Sequence, residues 1–281
     1  VDRLIPPALT RGLLIALTVA ALLIAAMWAL QRKLIYFPDA SPVPSALQLF
    51  TRAEDVTLTT SDGLELGAWY VPSVGASREV TVLVANGNAG NRADRALLAS
   101  DLADAGFATL LFDYRGYGGN PGEPSEKGLA LDVRAAYRHL VDERRVPRER
   151  LLYFGESLGT GVVTELATEH PPAGMLLRSP FADLASLGAR HYPFLPVRLL
   201  LRDRFPVAES VARVDVPTTV VYGTADTIVP PDHSERVADA ARGPVERVAL
   251  PGVGHNDAVM FGGATIVDAT VALAERALRA P

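Results

Sequence analysis

The stretch Leu151-Leu152-Tyr153-Phe154-Gly155-Glu156-Ser157-Leu158-Gly159-Thr160 constrains this chain more than any other, because an apolar strand-like run ends at a G-x-S-x-G and a helical pattern, Val162 to Glu169, follows at once. A strand that turns so sharply into a helix lifts one hydroxyl clear of the sheet edge and leaves no room for a Cβ two residues to either side. Gly155 and Gly159 hold those positions, so Ser157 is the candidate nucleophile. The motif alone is weak evidence; the strand before it, the helix after it and suitable partners later in the chain give it weight.

The surrounding pattern describes the scaffold. Val56 to Thr60 and Leu64 to Tyr70 alternate around Asp62-Gly63, a hairpin signal at a sheet edge. Short apolar runs at Val80 to Ala85, Thr109 to Phe112, Leu151 to Phe154, Gly174 to Leu177, Thr218 to Tyr222 and Arg247 to Leu250 alternate with helical stretches. That order predicts an α/β fold, a mostly parallel, doubly wound sheet covered on both faces. Between Phe181 and Arg213 the alternation lapses into a Pro-, aromatic- and Arg-rich stretch that cannot be a central strand. It reads as a short helical cap with an apolar inner face, or as a surface hairpin packed on the core.

Serine is a poor nucleophile unless a neutral imidazole takes its proton and a carboxylate behind the imidazole fixes the tautomer. The strand at 218–222 runs into Asp226 and the strand at 247–250 into His255, so both stand on loops at strand ends, in the order nucleophile, acid, base. Asp257, two residues from His255, is the nearest rival acid but reads as a brace for its loop or a cap on the following helix, and Asp183 is a weaker rival. His139, His170, His191 and His233 lack ligand spacing, and neither a metal nor a cofactor is implied. The oxyanion of an attacked carbonyl needs backbone donors: Leu158, after the nucleophile, and Asn88 in the loop Asn86-Gly87-Asn88-Ala89-Gly90. Asn86, Gly87, Tyr114, Phe181, Tyr192 and Phe194 are the expected substrate-binding residues. Glu156, charged at the elbow, needs a partner, for which Arg178 and Arg115 are the candidates.

Leu13 to Leu30 carries no charge and gives about 27 Å of helix, close to a bilayer's hydrocarbon thickness. Arg11 precedes it and Arg32-Lys33 follow, with Trp28, Tyr36 and Phe37 placed for the interface. Its length and the want of a clean cleavage site favour a single-pass anchor over a cleaved signal or a core helix. The expected organisation is an anchor at 12–30, a linker and interfacial segment at 31–50, and a catalytic domain at 51–281 with its cap at 181–213. Arg3 and Arg11 balance Arg32 and Lys33, so orientation is nearly undetermined, with the catalytic domain placed outside the cytoplasm on the short N-terminal tail. A net charge of −5 without a basic stripe argues against nucleic acid. The absence of cysteine excludes disulfides and thiolate catalysis. Oligomeric state is left open.

At these residues the chain resembles the α/β-hydrolase superfamily, and within it the N-terminally membrane-anchored serine hydrolases, whose relatives include protein depalmitoylases and lysophospholipid lipases. The resemblance spans residues 28 to 276. It rests on the Gln31-to-Pro38 stretch, Asn86 to Asn91, Phe112-Asp113-Tyr114-Arg115-Gly116-Tyr117-Gly118, Pro124-Ser125-Glu126, the elbow at 155–159, Ser179-Pro180-Phe181 and Gly254-His255-Asn256. It implies an α/β-hydrolase fold with Ser157, Asp226 and His255 as the triad and Asn88 and Leu158 as the oxyanion hole. One departure stands out: the family usually begins its oxyanion loop with His-Gly, and here Asn86-Gly87 replaces it. The implied activity is hydrolysis of acyl or lipid esters or thioesters at a membrane through an acyl-enzyme. Acyl transfer to an alcohol or lipid, and a non-catalytic interaction module on the same fold, are the alternatives.

Overall fold

The computed structural model describes residues 7–279. Arg3, counted above among the flanking charges, lies outside them, as do residues 280 and 281 of the expected catalytic domain. The chain opens on helix α1 (Pro7–Ile35), continues through β1 (Phe37–Pro38), and forms the hairpin β2 (Glu54–Thr59) and β3 (Glu65–Val71). Then come β4 (Thr81–Ala85), β5 (Ala89–Gly90), α2 (Ala96–Asp104), β6 (Ala108–Phe112), α3 (Glu126–Arg138), β7 (Leu151–Glu156) and α4 (Leu158–Glu169). The last third holds β8 (Gly174–Arg178), the short helices α5 (Leu184–His191), α6 (Val197–Leu200) and α7 (Val207–Val211), then β9 (Thr218–Gly223), α8 (Pro231–Ala240), β10 (Val245–Leu250) and α9 (Ala264–Arg279).

Eight strands form one sheet in the order β10-β9-β8-β7-β4-β6-β3-β2, parallel except where β3 runs antiparallel to β2 and β6. The central strands bury both faces, so successive residues feed different cores. Leu151 and Tyr153 of β7 join the core beneath α3 and α4, while Leu152 and Phe154 join the core beneath α2 and α9. After β6 the chain crosses back over β4 to place β7 at its other side, and a strand order that reverses leaves a crevice at the carboxyl ends. The loops after β4 and β7 meet there.

Helix α1 is long and apolar enough to cross a membrane, with mean hydropathy 2.6 and 0% of its most apolar window buried. It does not stop at Leu30. Gln31 to Ile35, expected to begin the linker, are helical, because Gln31 and Arg32 find partners on the segment between β8 and β9 and the helix continues far enough to reach them. A second stretch, Ala258–Arg279, passes the same length and composition test, but α9 within it buries Ile266, Ala269 and Leu273 against the sheet. The prolines and aromatics at 181–213 form α5, α6, α7 and intervening turns, a helical insertion as expected.

Candidate active site

The elbow joins β7 to α4 through Ser157, whose backbone stands at φ 49° and ψ −111°. A non-glycine residue at positive φ is strained, and the packing around it holds the strain in place. A Cβ on Gly159 would lie 2.1 Å from the carbonyl oxygen of Ala85, and one on Gly155 2.7 Å from Cα of Thr160. The glycines therefore let α4 pack across β4 and β7. The Ser157 N–H donates to the Arg178 carbonyl at 2.8 Å, fixing the turn against the neighbouring strand.

The structure brings Ser157, His255 and Asp226 together. His255 Nε2 lies 3.1 Å from Ser157 Oγ, and His255 Nδ1 lies 2.6 Å from Asp226 Oδ2. An ionised carboxylate only accepts, so the ring proton sits on Nδ1 and the Nε2 lone pair faces the hydroxyl. Asp226 is 4% exposed, and its other oxygen accepts from the N–H groups of Ile228 at 2.9 Å and Val229 at 2.8 Å. Those bonds satisfy a buried charge and aim it. Asp257 turns away from this line: its Oδ2 accepts from the Gly254 N–H at 2.7 Å, bracing the loop as expected, although its side chain caps no helix. Asp183 caps α5 through the Ser186 N–H at 2.7 Å.

Leu158 opens α4, so its N–H has no acceptor within the helix. Leu158, Asn88 and Ser157 line one cavity of about 500 Å³. Asn88 is held from several sides. Its carbonyl accepts from the Phe37 N–H and the Tyr117 hydroxyl, both at 2.8 Å, and its side-chain amide donates to the Ile35 carbonyl at 2.7 Å. The two-residue parallel ladder of β1 with β5, absent from the sequence reading, belongs to the same attachment and ties the chain after α1 to this loop.

Several expected substrate-binding residues do other work. Asn86 is buried and lines neither cavity at Ser157; its amide donates to the Phe112 carbonyl at 3.1 Å, holding the loop that usually begins with histidine. Tyr114 is 0% exposed, and its hydroxyl donates to the Asn86 carbonyl at 2.9 Å, so it supports the loop from beneath. Burial pushes its phenol well above the usual range. Phe194 is 78% exposed and stands outside the cavity wall, edge-on to Tyr192. Tyr192 and Phe181 do line the main cavity. Gly87 lines a second one, about 450 Å³, together with Glu156, Ser157, His255 and Asn256.

Of the other histidines, His139 contacts Glu143, His170 stacks on Tyr137, His233 accepts from the Ala182 N–H at 3.3 Å, and His191 lines the main cavity.

Glu156, 4% exposed, is held by two guanidinium groups. Arg178 Nη2 lies 2.8 Å from Oε1, and Arg95 lies 2.5 Å from Oε1 and 3.1 Å from Oε2. Arg115 instead pairs with Asp132 and Asp62. Burial alone would raise the Glu156 carboxyl, but Arg178 and then Arg95 outweigh it and hold it at about 2. The same arginines reach outward: Arg178 donates to the His255 carbonyl at 3.2 Å and Arg95 to the Ala89 carbonyl at 3.2 Å. One buried carboxylate thus ties the elbow to the histidine loop and to the loop carrying Asn88.

A family model described as "Serine aminopeptidase, S33" matches residues 76–205. The uncharacterized protein Rv2307c of Mycobacterium tuberculosis is 51% identical over 89% of this chain and 89% of its own length. The uncharacterized protein YfhR of Salmonella typhi is 30% identical over 89% of this chain and 90% of its own. Among solved structures, the Pyrococcus furiosus esterase Pf2001 superposes with a TM-score of 0.67 at 20% identity, covering 86% of this chain and 97% of that one, a likeness of fold. The segment that the family model matches runs from just before β4 to just before α7 and is thus similar to serine hydrolases of the S33 kind. The chain belongs to one family with Rv2307c and YfhR, and its fold is the α/β-hydrolase fold.

Proposed function

We propose that the protein is a serine hydrolase that cleaves carboxylic esters or thioesters of acyl or lipid substrates through a covalent acyl-enzyme, anchored in a membrane by α1. The observation that carries this reading is the line from Asp226 through His255 to Ser157 Oγ, at 2.6 Å and 3.1 Å, opening on a cavity with largely apolar walls. Among the described residues the lining of that cavity holds no acidic side chain, whereas Asp94 and Glu156 line the second one, and an apolar wall suits an acyl group. Ser157 sits where this cavity meets the more polar one beside His255, and that asymmetry suits an acyl chain on one side and a leaving group or water on the other.

In this mechanism His255 Nε2 takes the Oγ proton as Ser157 bonds to the carbonyl carbon, and Asp226 stays ionised behind the imidazolium. The backbone N–H groups of Leu158 and Asn88 receive the oxyanion. Collapse breaks the bond to the alcohol or thiol, which leaves with the proton from His255. Water then attacks the acyl-enzyme, gives its proton to His255, and the second collapse frees the acid and returns the proton to Oγ. Hydrolysis of a short-chain aryl ester by full-length wild type and Ser157→Ala tests the assignment: the variant should lose at least ~10³-fold in kcat with unchanged thermal unfolding. A variant that keeps near wild-type turnover would refute it.

A further inference from the structure

The main cavity does not lie within the catalytic domain alone. Met27, Leu34 and Ile35 of α1 line it together with Leu187, Leu195 and Leu201 of the insertion between β8 and β9. From Ile35 back to Met27 the helix covers about 12 Å of axis, a wall rather than a point of contact. The Ile35 end is the one next to the reacting centre, because its carbonyl takes the Asn88 amide. Met27 is therefore the distal end of the wall.

Polar contacts close the rim of this wall. Asp203, buried, accepts from Arg32 Nε at 2.9 Å and from the Tyr36 hydroxyl at 3.1 Å. Gln31, also buried, donates to the Leu200 carbonyl at 3.1 Å and accepts from the Arg202 N–H at 2.7 Å. The Arg202 guanidinium stands 5.2 Å from the Trp28 ring centroid. A tether needs only an apolar run in the bilayer. Gln31 of α1 and Asp203 of the cap are both buried and would be costly without partners; Gln31 also donates to the Trp28 carbonyl within its own helix at 2.8 Å, and the remaining contacts of the two join α1 to the cap.

The apolar run also sets the depth of the cavity. Leu13 to Ile24 carries exposed leucines and isoleucines that only hydrocarbon would cover, and Trp28 and then Arg32 and Lys33 follow in the order that marks a membrane interface. The distal end of the cavity, at Met27 and Trp28, thus lies where acyl chains give way to headgroups. On the cap, Leu199 is 85% exposed beside Arg198, a pairing suited to the same interface.

We infer that the last turns of α1 are the acyl-selecting wall of the active site. The acyl chain of an ester resident in the bilayer passes from the leaflet into the cavity and lies along α1, its carbonyl at Ser157 and its end at Met27, which limits its length. This rests on the serine-hydrolase reading above.

Wild type, Met27→Trp and Met27→Ala, all full length in phosphatidylcholine vesicles, are assayed on the butyrate and palmitate esters of 4-methylumbelliferone. The ratio of kcat/KM for palmitate over butyrate should fall at least tenfold when tryptophan fills the wall and rise when alanine opens it. Opposite shifts at one position cannot come from misfolding, which lowers both esters together. Ratios unchanged in both variants overturn the proposal. A diacylglycerol carrying one fluorescent long acyl chain, placed in the enzyme's own vesicles or in separate ones, tests the route: hydrolysis confined to the shared bilayer is expected, and equal rates in both arrangements overturn it. Failure of the serine-hydrolase reading shows itself differently, as butyrate hydrolysis that survives Ser157→Ala.

Discussion

The two sides of Ser157 are held by different physics. Toward the histidine loop, Glu156, Arg95 and Arg178 form a buried charge cluster whose arginines also bind the backbones of both flanking loops. Toward the cap, the wall is apolar, and its polar closure depends on Asp203 with a partly exposed Arg32. A buried, fully paired cluster has one low-energy arrangement, so it suits atoms that must stay within tenths of an ångström. An apolar wall accepts chains of differing length and conformation, so it suits the part of a substrate that does not react.

Mutations should separate the two sides. The largest effect belongs to Asp226→Asn, which should lower kcat by ~10⁴-fold because the ring loses the tautomer that accepts the serine proton. Asp257→Asn should lower kcat less than tenfold and reduce the melting temperature slightly, since its carboxylate accepts from the Gly254 N–H and stands apart from the imidazole. Steady-state kinetics on one aryl ester compares the pair, and a dead Asp257→Asn beside an active Asp226→Asn would move the orienting role.

Next in size is Glu156→Gln, which leaves Arg95 and Arg178 buried without their carboxylate and should destabilise the fold by about 3–5 kcal/mol in denaturant titration. The pH dependence follows from the same group. Its carboxyl is held at about 2 against an ordinary 4.5. A depressed carboxylate stabilises the folded state above its unfolded value and loses that contribution as pH falls. Wild-type stability should therefore drop between pH 4.5 and about 2 more steeply than that of the glutamine variant. Parallel acid limbs would show that the cluster carries no such linkage. A smaller loss than that of Glu156→Gln is expected from Asp203→Ala, about 1–2 kcal/mol, because Arg32 can turn to solvent once released; a loss as large as that of Glu156→Gln would erase the contrast between the two sides.

Much of this was written in the sequence because local signals coincided with the fold. Each parallel strand is a short apolar run, the elbow is bracketed by glycines that contacts of 2.1 Å and 2.7 Å demand, and Asp226 and His255 stand on loops just beyond β9 and β10. Where the reading fell short, the deciding partner was distant in the chain. Arg95 lies 61 residues from Glu156 and carries no motif of its own, whereas Arg178, adjacent to Glu156 across a strand pair, was within reach of the pattern. Phe112 and Tyr114 share the parity of a strand's inward residues, a signal that Tyr114 continues into the core. For Phe194 no periodicity existed to separate an inward from an outward ring. Hydropathy described α1 as something the bilayer would hold; that its last turns also wall the cavity depends on Gln31 and Arg32 meeting residues about 170 positions away.

The central claim is that the acyl group passes through Ser157. Acid quench of the full-length enzyme during turnover of a slowly deacylating aryl ester, followed by peptide mass analysis, tests it directly. The account predicts the added mass of the acyl group on the peptide bearing Ser157 and its absence in Ser157→Ala; an acyl adduct on any other residue, or turnover with Ser157 unmodified throughout, would contradict it.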